Sequence, residues 1–169
     1  MARRSHHTVT HDVEGYIHST ATFASGGTHR YQLWRIWQPG PLCHFLMLNP
    51  STADECQSDP TVTRCLNYAK AWSYGGLIVT NIFALRSTDP KQLYIHPDPV
   101  GVENDRFILD AQARCTMTVA AWGNHGKHMG RGEQVRALLE APHMFGLNAT
   151  GTPKHPLYLN ADLRPVRWV

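Results

Sequence analysis

Short apolar runs alternate with amphipathic stretches between Leu42 and Leu147, whereas the residues before Ala21 show little apolar periodicity. The continuous run Phe45-Leu46-Met47-Leu48 predicts a buried strand, as do Leu77 to Phe83, Thr116 to Trp122 and the shorter His143 to Leu147. Between the first two, Val62, Cys65, Leu66, Ala69 and Trp72 recur at helical spacing. Asp59 reads as the N-cap of that helix and Pro60 as its first residue, and Gly75-Gly76 end it. A Pro-rich loop from Asp89 to Pro99 leads to a helix near Glu103 to Arg114, and a further helix is predicted over Gly132 to Glu140.

Upstream, the Ser25 to Gly27 turn and the partly alternating Tyr31-Gln32-Leu33-Trp34-Arg35-Ile36-Trp37 predict a β-hairpin closed by Pro39-Gly40-Pro41. Strands alternating with helices imply right-handed crossovers in an α/β fold. The expected architecture is a three-layer sandwich around a central, mainly parallel four-stranded sheet, with an N-terminal β-hairpin. Residues 1–20 read as a loosely held arm and residues 21–169 as a single α/β domain.

Composition narrows this picture only a little. A chain of 169 residues with 42% hydrophobic and 17% charged content suits one globular domain. The formal charge of +3 and a pI near 8.8 permit an anionic partner without demanding one. No apolar run approaches the roughly 18 residues of a membrane span, and Met1 to His7 lacks the apolar core of a signal peptide, so a cytoplasmic protein is expected. Cys43, Cys56, Cys65 and Cys115 form no C-x-x-C pair and read as free thiols rather than a metal site. The His6-His7 pair is too sparse for a metal site.

In an open α/β sheet, ligands bind off the carboxyl ends of the strands. The first strand is followed by Asn49-Pro50-Ser51, the second ends at Asn81, and the third runs into Trp122-Gly123-Asn124-His125-Gly126. The fourth leads to Pro153-Lys154-His155-Pro156-Leu157-Tyr158. The glycine-rich run lacks the G-K-[ST] ending of a P-loop, which weighs against ATP or GTP binding.

The segments L-N-P-S-T-A-D, D-P-T, a strand ending in Asn, W-G-x-x-G and P-K-H-P-L-Y together resemble a widespread bacterial and phage family of unassigned function, from about Tyr31 onward. The same elements, in the same order, are similar to the uracil-DNA glycosylase superfamily. There a strand ends in G-x-[DN]-P, whose Asp or Asn positions the attacking water. A second strand ends in a base-reading Asn, some branches carry W-G after the next strand, and a late H-P-S-P-L loop supplies a His and an apolar wedge.

That resemblance implies Asn49 as the water-positioning residue, Asn81 as the base reader, Pro50 and Ser51 as the base-pocket wall and His155 as the donor to the departing base. Leu157 or Tyr158 would be the wedge, with Gly123, His125, Lys127, Arg131 and Lys154 on the DNA-facing rim. Asp54 and Asp59 read first as helix N-caps, yet either is a possible general base for the held water. The chain departs from the superfamily pattern at Met47, Leu48 and Leu157-Tyr158. Ser51 stands where uracil-selective members place an aromatic residue that excludes a 5-methyl group.

The implied activity is a monofunctional DNA N-glycosylase that flips a pyrimidine, hydrolyses its bond to deoxyribose and leaves an abasic site. No lysine stands at the water-positioning step for Schiff-base chemistry. With Ser51 in place of the aromatic residue, a 5-modified pyrimidine of the kind phages carry becomes the expected target, which would make excision a defence. DNA is the implied partner; no cofactor, metal, membrane or protein partner is implied. Two other classes fit the same residues: an enzyme acting on a free nucleoside or nucleotide, and a non-catalytic reader of a modified base.

Overall fold

The computed structural model describes residues 5–169; the first four residues of the expected N-terminal arm lie outside them. Eight strands form one mixed sheet: β1 (His6–Thr10), β2 (His18–Ala24), β3 (Arg30–Ile36), β4 (Leu42–Met47), β5 (Gly76–Asn81), β6 (Met117–Ala120), β7 (His143–Met144) and β8 (Val166–Arg167). Their order across the sheet is β1-β2-β3-β5-β4-β6-β7-β8. The helices are α1 (Pro60–Ala71), α2 (Asn104–Arg114) and α3 (Arg131–Arg136), with 3₁₀ turns at Pro90–Tyr94 and Asn124–Gly130.

β4 pairs in parallel with β5 on one side and β6 on the other, and β6 pairs in parallel with β7. The sheet is nonetheless twice as wide as the four strands expected. The fully buried strand β5 needs a backbone partner on its outer edge. The predicted hairpin supplies it, for β3 pairs antiparallel with β5 in the register Leu33↔Val79, and β2 and β1 extend the sheet beyond. His6–Thr10, inside the segment expected to be loosely held, is thus an edge strand. Its Thr8 Oγ1 lies 2.8 Å from Thr22 Oγ1 and its His6 Nδ1 2.8 Å from Glu103.

Both faces of the centre are covered, which is why its strands read as continuous apolar runs. On β4, Cys43, Phe45 and Met47 face α1 through Val62, Cys65, Leu66 and Ala69. Leu46 points to the opposite face, where Ile108 of α2 and Val135 of α3 pack with Trp122. Asp59 caps α1 as its Oδ1 accepts from Val62 N at 2.9 Å, and Pro60 opens the helix. α3 is shorter than predicted, ending at Arg136. Cys43 and Cys65 are buried free thiols, whereas Cys56 is exposed. No helix among the described residues is long and apolar enough to cross a membrane.

Candidate functional site

The chain leaves β4 to build β5 on one side and later returns to build β6 on the other. The crevice between the carboxyl ends of β4 and β6 is therefore the topological switch point, where open α/β sheets place ligands. A cavity of about 470 Å³ opens there. Asn49, Pro50 and Ser51 line it, as do Asn81, Trp122, Gly123, His125, His155 and Leu157. Four loops far apart in the sequence thus meet at one rim.

Pro50 ends β4 because its ring removes a donor and bars helical geometry at the preceding residue. Asn49 then turns its amide nitrogen onto three carbonyls, Ser87 O at 2.9 Å, Pro50 O at 3.1 Å and Leu85 O at 3.4 Å. Three acceptors around one end fix the orientation of the amide. Asn49 lines the cavity, and its Oδ1, in no hydrogen bond with the described residues, can accept one from water.

Beyond Ser51 the loop is gripped by the N-terminal strands. Arg30 Nη1 donates to Ala53 O at 2.8 Å, Arg35 donates to Asp54 O and to Gln57 O, and Ser19 Oγ donates to Glu55 O at 2.6 Å. Both arginines are buried. Burial lowers the pKa of Arg30 to about 10, with Asp59 opposing the shift, so the guanidinium stays charged at neutral pH. Arg30 also lines the cavity, and its Nε has no partner among the described residues. Sequence reasoning missed this residue, and nothing in the strand that it opens sets it apart from Arg35.

The two candidate bases separate. Asp59 lines the cavity while its oxygens accept from Val62 N and, at 3.3 Å, from Ala53 N. Asp54 does not line it. Its Oδ1 accepts from Cys56 N and Gln57 N, both at 2.8 Å, which closes a local turn on the loop's outer side. These backbone donors, together with Arg35 and Arg86, hold its carboxyl below the usual range against an opposing desolvation.

Asn81 ends β5, is 2% exposed and has no partner for its Nδ2 among the described residues. A buried amide donor with nothing to bond costs about 1–3 kcal/mol, so a ligand acceptor in the cavity would relieve it. The backbone around Asn81 is pinned from behind. Asn104 Nδ2 donates to Asn81 O at 2.8 Å and to Ile82 O at 3.2 Å, and Arg131 Nε donates to Ile82 O at 2.7 Å. Arg131 is buried and also bonds Asp105, so it braces the end of β5 and is not a phosphate ligand on the rim.

After β6, Trp122 is seated between two glycines. A Cβ on Gly126 would lie 2.1 Å from Trp122 Cδ1, and one on Gly132 2.8 Å from its Nε1. Gly126 N is spent on Gly123 O at 3.1 Å, so this amide is not free for a phosphate. Lys127 faces a separate hollow of about 360 Å³ bounded by Thr150–Pro153, away from the main cavity. His125 does reach the cavity, and its Nδ1 lies 3.0 Å from Tyr94 OH.

Gly123, at φ 76°, lets the chain turn so that its N–H donates to Pro153 O at 2.9 Å. That bond ties the third rim loop to the fourth and brings His155 to the cavity. Leu157 N donates to His155 Nδ1 at 3.2 Å, so a neutral ring carries its proton on Nε2. Burial pushes the His155 pKa down, with the charge of Asp59 pulling weakly the other way, and the neutral form prevails at pH 7. Leu157 lines the cavity, whereas Tyr158 is 94% exposed at φ 69°. Lys154, on the same loop, does not line the cavity. Its backbone N–H donates to Gly146 O at 3.0 Å.

No curated protein and no solved structure matches this chain. The uracil-DNA glycosylase likeness therefore rests on the sequence elements alone. Residues 30–157, which span all four rim loops, match the family described as a protein of unknown function, DUF1643, and the chain belongs to that family.

Proposed function

We propose that this protein is a monofunctional DNA glycosylase whose cavity receives a nucleotide turned out of the stack. The observation that carries the proposal is the meeting of three complementary groups on one cavity. These are a free amide oxygen on Asn49 and a buried amide donor on Asn81, both without a partner among the described residues, and a neutral imidazole donor on His155. The parallel strand order β5-β4-β6-β7, with the site at its switch point, suits a uracil-DNA glycosylase-like core inside the wider sheet.

Breaking the N-glycosidic bond leaves positive charge on the sugar and negative charge on the base. In this reading Asn49 Oδ1 holds a water against the anomeric carbon. The carbon–nitrogen bond breaks with its electron pair on the base, and the anion meets the Nε2–H of His155 and the Nδ2–H of Asn81. The water oxygen then bonds the anomeric carbon. Its proton passes to Asp59, the one carboxylate among the described residues lining the cavity, and from there to solvent. Fixed neutral donors serve an anionic leaving group well because they need no reorganisation as charge develops.

The volume admits a large base. At about 470 Å³ the cavity falls in the range of ordinary ligand pockets and leaves room for a base that carries a substituent. Ser51, Thr61, Ser87 and Thr88 add small polar walls suited to a substituent that carries hydroxyls. A 5-modified pyrimidine in phage DNA is the substrate class we favour, which makes defence the biological role.

The test is mass spectrometry of small molecules released from unmodified bacterial DNA and from phage DNA rich in 5-modified pyrimidines, with Asn49→Ala and His155→Ala beside the parent. A free base that vanishes with either variant is the expected result. No free base from any DNA would overturn the proposal.

A further inference from the structure

One group of side chains at the cavity mouth plays no part in the chemistry above. Starting in the core, Phe83 lies 5.8 Å, centroid to centroid, from His128, and His128 lies 4.0 Å from Tyr94. Tyr94 in turn meets His125 at 5.8 Å edge to face, and its hydroxyl lies 3.0 Å from His125 Nδ1. His128 is anchored by its Nε2 on Leu93 O at 3.0 Å. The column runs from a buried phenylalanine to the rim, where Tyr94 is 52% exposed and His125 lines the cavity.

An aromatic held half in solvent by a ring beneath it and a hydrogen bond at its edge keeps an open π-face in a fixed orientation. Tyr94 and the adjoining Ile95, 72% exposed, lie largely outside the core. One cation, Lys91, sits on the turn that carries Tyr94. It is exposed and forms no ion pair among the described residues. A fixed aromatic face beside an uncompensated cation suits an unpaired nucleic acid strand, a base stacking on the ring while the cation meets a phosphate.

We propose that Tyr94, held in place by His125 and His128, forms a stacking shelf for the base next to the one in the cavity, so that the preferred substrate is single-stranded or locally opened DNA. This rests on the nucleic-acid reading of the site but not on its chemistry. A stacked base in a closed duplex has no free face to offer the shelf, whereas an unpaired neighbour does.

The test is fluorescence anisotropy with a short labelled thymidine oligonucleotide and with a duplex containing the same strand. The parent is expected to bind the single strand tighter. Tyr94→Ala should weaken that binding by about tenfold, within the span of base–aromatic stacking, while changing duplex binding by no more than about twofold. Tyr94→Phe keeps the face and should stay within about threefold of the parent. Equal loss on both DNAs, or no loss on the single strand, overturns the shelf. Base release that survives with unaltered single-strand binding in Tyr94→Ala would refute the shelf and leave the glycosylase standing. Tyr94-dependent strand binding with no base release from any DNA would do the reverse.

Discussion

His44 offers a quantitative check on the structure. It sits on β4 with no solvent exposure, its Nδ1 3.0 Å from Thr118 Oγ1 and its Nε2 2.7 Å from Thr80 Oγ1. Each hydroxyl can donate or accept, so either neutral tautomer is satisfied, but a charged ring would lack solvation. Burial lowers its pKa from 6.5 to about 3. The unfolded chain therefore takes a proton there below pH 6.5 that the folded chain refuses until about pH 3. Stability from this site is complete above 6.5 and is lost as the pH falls toward 3. At 1.36 kcal/mol per pH unit the ceiling is about 5 kcal/mol, of which about 2 kcal/mol is gone between pH 7 and pH 5. His44→Gln cannot titrate, and the other histidines cancel in the comparison. Urea unfolding at both pH values should show the parent losing about 2 kcal/mol more than the variant. Equal losses would mean that His44 is not a buried neutral ring.

Four further outcomes follow from the site. Because Leu157 N–H holds His155 Nδ1 and burial depresses the ring's pKa, base release should stay level as the pH falls through 6.5 and drop only in stronger acid; a fall centred above 6.5 would contradict the neutral-donor role. His155→Ala should slow release by about a hundredfold, as loss of one preorganised donor does, read as single-turnover rate with DNA affinity unchanged. Gly126→Ala drives a methyl into Trp122 and should cost about 1–3 kcal/mol in urea unfolding; a neutral result would show that the ring can shift. Arg35→Met strips the donors from Asp54 O and Gln57 O and should cost about 2 kcal/mol or more, with faster proteolysis within residues 50–57 as the local signature.

Periodicity and punctuation carried much of the fold. The four inner strands, the hairpin and the first two helices were legible because apolar runs, the Asp59-Pro60 start and the Gly-rich stops are local signals. The positions of Asn49, Asn81, His125, His155 and Leu157 at the cavity followed from one rule about strand ends, without side-chain detail. The width of the sheet was not legible, since β3 joins β5 across some forty residues and no local pattern names a strand's partner. The same limit hid which polar groups face inward. Asp54 and Asp59 look alike in sequence, but one closes a turn outside while the other lines the cavity. Arg131 was expected on the DNA-facing rim, but it is buried against the backbone of Ile82, and Arg30 gave no sign that it would line the cavity. Sequence by itself determined the inner strands, the first two helices and the strand-end loops, because these depend on neighbours along the chain. Tertiary structure alone decided which donors are spent and which are left for a ligand, because hydrogen bonds between distant segments exist only once the chain has packed.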